Sequence, residues 1–147
     1  MRSLIDLHCH STVSDGVLTP TELVNYAAEK GVRVLALTDH DDVAGLPEAR
    51  QVAHSHGMQF IDGVEISVTW RRRTLHIVGL KINPEYPALA EGLEKIRAGR
   101  HVRAVGIANA LEKTGIHGAL EGAYEYSKGG IISRTHFARF LIEKGYA

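Results

Sequence analysis

The sequence predicts an α/β domain built on a parallel sheet that curls into part of a barrel. Three observations predict it. Strand-like apolar runs alternate with capped amphipathic helices over the first 64 residues. Histidines and carboxylates recur where those runs end. A chain of 147 residues with 44% hydrophobic residues can bury roughly two-thirds of the surface its unfolded form exposes.

The elements follow in order. Residues 3–9 (SLIDLHC) form a short strand. Alternation turns Ile5, Leu7 and Cys9 to a face packed under helices and Asp6, His8 and His10 to the polar face. Thr19, Pro20 and Glu22 make a capping box that opens a helix, and Gly31 ends it. Leu23, Val24, Ala27 and Ala28 form the apolar face of that helix. Residues 32–38 (VRVLALT) are a buried parallel strand. A helix from about Pro47 to His56 is closed by Gly57, and residues 58–64 are the third strand. Residues 65–70 and 74–80 read as an antiparallel hairpin, since Arg71, Arg72 and Arg73 are too short a link for a parallel crossover. These arginines read as a solvated turn or, alternatively, a phosphate-steering patch, and Trp70 as hairpin packing. From Pro87 the pattern turns helical to residue 113, with a break at Gly99 or Gly106. Residues 127–132 are a loop. A last helix starts at Ser133 and runs to Lys144, with Phe137, Phe140 and Leu141 on its packed face. Three parallel strands plus a hairpin make half a barrel, and the chain stops just after a helix, so a C-terminally truncated barrel is expected. Residues 1–84 then form the sheet part and residues 85–147 a helical insertion.

Composition narrows the function. Lys plus Arg equals Asp plus Glu at 17 each, so no global field draws the protein to duplex DNA or membrane. The single cysteine, Cys9, fits a reducing compartment. The absence of a signal-like N-terminus or a spanning run predicts a cytoplasmic protein. Nine histidines stand out. His54, His56, His101 and His117 sit in ordinary helix or loop contexts and are expected at the surface.

Three of the others, His8, His10 and His40, fall at strand ends. His8 and His10 share one strand face and can chelate one divalent ion. Asp15 follows in the turn Ser14-Asp15-Gly16, as a ligand or as a turn former. The next strand ends in Thr38-Asp39-His40-Asp41-Asp42 and the third in Gly63-Val64-Glu65, while the hairpin carries His76. Ligands of parallel α/β folds collect at the carboxyl ends of strands. Imidazole plus carboxylate suits Zn, Mn or Fe, with Glu65 the candidate bridging ligand. Asp39 is a candidate for orienting His40 or another ligand, and Asp41 and Asp42 for capping the following segment. Near the C-terminus, Arg134 and His136 open a helix behind the Ser133 cap, where free N–H groups and a guanidinium favour a phosphate. Lys128 and Tyr126 are weaker candidates for lining a nucleotide site.

The set His8-x-His10, Ser14-Asp15-Gly16, Thr38-Asp39-His40-Asp41, Gly63-Val64-Glu65-Ile66-Ser67 and His76-Ile77-Val78-Gly79 resembles the polymerase-and-histidinol-phosphatase (PHP) superfamily over residues 3–80. Ile132-Ser133-Arg134-Thr135-His136-Phe137-Ala138-Arg139 resembles its branch of nucleoside 3′,5′-bisphosphate phosphatases and 5′-to-3′ exonucleases of short RNA. The resemblance implies a distorted (β/α)7, TIM-like barrel with two or three divalent metal ions at its mouth. It implies His8, His10, Asp15, His40, Glu65 and His76 as ligands, and a metal-bound water as the nucleophile. Arg134 and His136 would hold and neutralise the phosphate, with Lys128 beside the substrate. The expected partner is a nucleotide or short RNA with a terminal phosphate. Histidinol-phosphate hydrolysis and a non-catalytic metal-binding module like those attached to bacterial DNA polymerases are the alternatives.

Overall fold

The computed structural model of the chain describes residues 4–71 and 73–147. Strands β1 (Leu4–Cys9), β2 (Val32–Leu37), β3 (Gln59–Trp70) and β4 (Arg73–Leu80) form one sheet in the order β1-β2-β3-β4. The first three are parallel and β4 returns antiparallel. Helices α1 (Pro20–Glu29) and α2 (Leu46–Ser55) are the crossovers, and α3 (Pro87–Glu112), α4 (Ala119–Ser127) and α5 (Arg134–Glu143) follow the sheet. The architecture is an open, partial TIM-like barrel.

Local chemistry explains the boundaries. Thr19 Oγ1 accepts from Glu22 N–H at 3.2 Å, and the Glu22 carboxylate accepts from Thr19 N–H at 2.8 Å. The two groups thus satisfy orphan donors at the start of α1. Gly31 ends that turn at φ +83, a conformation a side chain would resist. Val24 and Ala27 of α1 pack with Leu35 and Leu37 of β2 and with Leu46, Ala49 and Ala53 of α2 in one core cluster. A second cluster joins Ala104 of α3, Ala119 and Ala123 of α4, Ile132, and Phe137 and Phe140 of α5. No helix among the described residues is long and apolar enough to cross a membrane.

The structure corrects five expectations. Residues 58–64 and 65–70 are not separate strands. They are one strand, β3, whose first part pairs with β2 and whose second part pairs with β4. Gly63 permits this at the switch point, because a Cβ there would lie 2.7 Å from the Thr38 methyl. The face of Ile5 and Leu7 is not packed under helices. Ile5 is 63% and Leu7 36% exposed, because β1 is an edge strand of the sheet, and only Cys9 reaches the first core cluster. Helix α3 is unbroken at Gly99 and Gly106, an interior glycine costing only about 1 kcal/mol. Helix α4 takes in Ser127, the first residue of the expected loop 127–132, in a part of the helical insertion for which no separate helix is expected. Trp70 does not pack within the hairpin; it is 60% exposed, with the Arg71 guanidinium 5.3 Å from its ring centroid. Of the three-arginine turn, Arg72 lies outside the described residues, as does Ser3 of the expected first strand.

Candidate metal centre

The parallel ladder continues beyond β2 and builds the site. Glu65 N–H donates to Asp39 O at 3.1 Å and Asp41 N–H to Glu65 O at 2.9 Å, a bridge that sets His40 beside Glu65. Alternation along β3 puts Glu65 and Ser67 on one face, and His76 of β4 is the cross-strand partner of Ser67. His8 and His10, at the end of β1, approach from the other side.

Six predicted ligand residues therefore meet. Glu65 Oε2 lies 2.9 Å from His8 Nε2, 3.0 Å from His10 Nε2 and 3.5 Å from His40 Nδ1. Its other oxygen, Oε1, is 3.7 Å from His76 Nδ1. Asp15 lies 3.7 Å from His10 Nδ1 and 3.9 Å from His40 Nε2. The four imidazoles follow one another at centroid separations of 5.1, 4.7 and 4.8 Å. Three overlapping triplets result: His8-His10-Glu65, His10-Asp15-His40 and His40-Glu65-His76. In each, the donor atoms fall within 4.8 Å of one another.

Electrostatics and polar satisfaction fit a cation. Burial pushes the His40 pKa down, against the pull of Asp15 and Glu65, and so keeps the ring neutral. For Glu65, burial acts upward, but the His8 contact and the charges of His40 and His10 outweigh it and lower the pKa. For Asp15, burial likewise acts upward and is outweighed by His40, the Thr135 hydroxyl and His10. Neutral imidazole and ionised carboxylate are the ligand forms of these groups. His40 Nδ1 is buried with no hydrogen-bond partner among the described residues, a state that native structures seldom tolerate unless something coordinates the atom. Cys9 takes no part. Burial, with Asp6 and Asp39 beside it, pushes its thiol up to about 12, and Sγ–H donates to Ala36 O at 3.1 Å.

Asp39 does not bond His40. Its carboxylate accepts from Ser11 N–H at 2.7 Å, Ser11 Oγ at 2.6 Å and Ser14 Oγ at 2.6 Å. It thus holds the loop between β1 and α1, which carries His10 and Asp15, and Ser14 Oγ lies 3.4 Å from His10 Nδ1. Asp41 is no helix cap either; it is fully buried and bonded to Ser67 and Arg100. Asp42 does make the local turn, accepting from Ala44 N–H at 2.8 Å.

A cavity opens beside the cluster. Asp15, His40, Thr74, His76, Arg134 and Thr135 line it, and Ile107 and Phe137 supply apolar surface. Thr135 Oγ1 donates to Asp15 Oδ2 at 3.1 Å and Arg139 to Asp15 O at 3.2 Å, so the first turns of α5 are fastened to a candidate ligand. His136 does not line this cavity. It is 1% exposed, and its Nδ1 accepts from Ser133 N–H at 3.1 Å while Ser133 Oγ accepts from Thr135 N–H. This reciprocal cap uses an imidazole where a Glu or Gln is usual. Lys128 is not brought to the cavity; at the C-terminal end of α4 it lines a separate groove with Thr19 and Tyr124. Tyr126 also lies elsewhere, near His117 and Phe140. Arg100 and Arg103 also line the cavity from α3; the sequence analysis does not single them out, and their one signal is a helical spacing that sets Arg100 on the same inward face as Leu93 and Ala104. His54, His56, His101 and His117 are exposed.

The model of the PHP domain family matches residues 6–131. The chain belongs to the PHP domain family. Relatives of this PHP chain include a 3′,5′-nucleoside bisphosphate phosphatase of Chromobacterium violaceum, 52% identical over 96% of this chain and 50% of that protein. A 5′-3′ exoribonuclease of Haemophilus influenzae is 48% identical over 99% of this chain and 53% of its own length. Among solved structures, an amidohydrolase from Chromobacterium violaceum with bound sulfate and no metal superposes with a TM-score of 0.94 at 51% identity. That match covers 97% of this chain and 51% of the other. The PHP chain thus spans about half the length of the curated relatives it matches.

Proposed function

We propose that the chain is a metal-dependent phosphoesterase acting on nucleotide-like substrates, namely nucleoside 3′,5′-bisphosphates and the 5′ end of short RNA. The observation that carries this reading is the convergence of four imidazoles on Glu65, with Asp15 beside two of them and His40 Nδ1 buried and otherwise unpartnered. The nucleotide assignment leans on the named activities of the two relatives above.

His8, His10, Asp15, His40, Glu65 and His76 would hold two or three divalent ions of the Mn, Zn or Fe type. Such ions lower the pKa of water toward neutrality and polarise phosphoryl oxygens. The protein's own groups do the remaining work. Glu65 presents one oxygen toward His8 and His10 and the other toward His76, an arrangement suited to bridging. Arg134, at the N-terminus of α5, offers a guanidinium fork and the positive end of the helix dipole to a phosphate. His136 holds the turn that presents Arg134. Ile107 and Phe137 offer an apolar surface to a nucleoside and exclude water from that side.

Elemental analysis of the purified chain after loading with Mn2+, run with phosphate-release assays, tests this. The assays use a nucleoside 3′,5′-bisphosphate, a 5′-phosphorylated short RNA and histidinol phosphate. Bound metal is expected in wild type and lost in Glu65→Ala, with release from the first two substrates. No bound metal would sink the site; bound metal without release would leave a binding module; release from histidinol phosphate alone would move the substrate class.

A further inference from the structure

A second buried network lies behind the cluster. Asp41 is fully buried and sits at φ +51, a left-handed conformation costing a non-glycine residue about 1 kcal/mol or more. Its Oδ1 accepts from Ser67 N–H at 2.6 Å. Its Oδ2 accepts from Arg100 Nε at 2.7 Å and pairs with Arg100 Nη2 at 2.6 Å. Arg100, 7% exposed and in the middle of α3, also donates from Nη2 to Ser67 Oγ at 2.9 Å. One turn earlier, Arg97 donates to the Asp41 carbonyl at 2.9 Å. Ser67 Oγ in turn lies 3.4 Å from His76 Nδ1. A buried ion pair adds little net stability compared with apolar packing of the same volume. Holding α3 to the sheet therefore does not by itself account for a strained, fully buried Asp–Arg pair. Its placement does: Ser67, directly across from His76 in the ladder, and Glu65, two residues along β3, both approach the Nδ1 edge of His76, at 3.4 and 3.7 Å.

We infer that Asp41, Arg100 and Ser67 form a positioning relay for His76, through which helix α3 sets the orientation of one ligand of the cation centre. Asp41 fixes the guanidinium, the guanidinium fixes the Ser67 hydroxyl, and the hydroxyl limits rotation of the imidazole. The inference rests on the reading of His76 as a ligand. Partners behind a ligand typically change metal affinity by 10- to 100-fold when removed, and linkage makes the effect reciprocal: cation binding must tighten the relay.

The test is titration of the metal-free chain with Mn2+ by calorimetry, for wild type, Ser67→Ala and Ser67→Thr. Ser67→Ala removes only the hydroxyl and leaves the Asp41–Arg100 pair and the Ser67 N–H bond in place. The expected result is about tenfold weaker binding in Ser67→Ala, with a metal-free melting temperature close to wild type, and recovery in Ser67→Thr. Wild-type affinity in a folded Ser67→Ala chain overturns the relay while leaving the cation centre standing. If wild type itself takes up no cation, the centre and the relay fall together. Hydrogen exchange of the wild type gives a reading that no variant can spoil by misfolding. Mn2+ should slow exchange of α3 amides around Arg97–His101; protection confined to the strand ends and the β1–α1 loop would overturn the relay.

Discussion

His136 has a role at the start of α5 that its sequence position does not announce. Its position after Ser133 suggested a phosphate contact, yet its ring is buried and closes the cap of α5. Burial first, with Arg139 and Arg100 adding to it and Asp15 opposing, lowers its pKa below the ordinary value of about 6.5. The folded chain therefore binds fewer protons here than the unfolded one just below that value. By linkage, its contribution to stability is complete above about 6.5 and is lost as the pH falls through the lowered folded value. His40, lowered for the same first reason, adds a slope of the same sign. With chelator present, the melting temperature should fall between pH 7.5 and 5.5. It should fall less in His136→Gln, which keeps a capping side chain but cannot titrate. Identical slopes in the two proteins would exclude His136 as a source. Asp39 makes the complementary point: its value lies in three bonds to Ser11 and Ser14, so it acts on His10 and Asp15 through the loop rather than on its neighbour His40.

Helices α3, α4 and α5 illustrate how the same residue type has opposite consequences in different packing. Nothing lies within 4 Å of a Cβ built on Gly99 or Gly106, both inside α3. Replacing either with alanine should stabilise the chain by about 0.5–1 kcal/mol, seen as a rise of a few degrees in melting temperature. Gly122 of α4 is different, because a Cβ there would clash with the Phe140 ring of α5. Gly122→Ala should destabilise by about 1–3 kcal/mol, read from the same melts. A stabilised Gly122→Ala protein would contradict the close α4–α5 contact. That contact also matters to the site, since α5 carries Arg134 and ties Thr135 and Arg139 to Asp15.

Across the sheet as a unit, the two outer strands, β1 and β4, carry exposed apolar side chains: Leu4 and Ile5 on one, Leu75, Ile77, Val78 and Leu80 on the other. Open edges of this kind pair readily with other chains. The chain in solution is expected to associate with rising concentration and to bind a hydrophobic dye. Ile5→Lys, far along β1 from the ligand end, should reduce both, as followed by light scattering and dye fluorescence. Unchanged association in the variant would show that the β1 edge is not the contact.

Much of the site was readable without coordinates because its code is local. Two-residue alternation put His8 and His10 on one face, and the end of β2 was marked by Thr38-Asp39-His40. The α1 cap was equally plain, since Thr19, Pro20 and Glu22 act within one turn. What could not be read involves partners distant in the chain. That β3 runs unbroken past Glu65 depends on Gly63 meeting Thr38 across the sheet. Asp39 reads as a partner of His40 or of another ligand and Asp41 as a cap; the sequence does not tell that Asp39 bonds residues 25 to 28 positions earlier and Asp41 one 59 positions later. The identity of the candidate ligands is thus written in side-chain chemistry and strand period. Ligand geometry is set by long-range contacts, for which a single chain of letters carries no spacing rule.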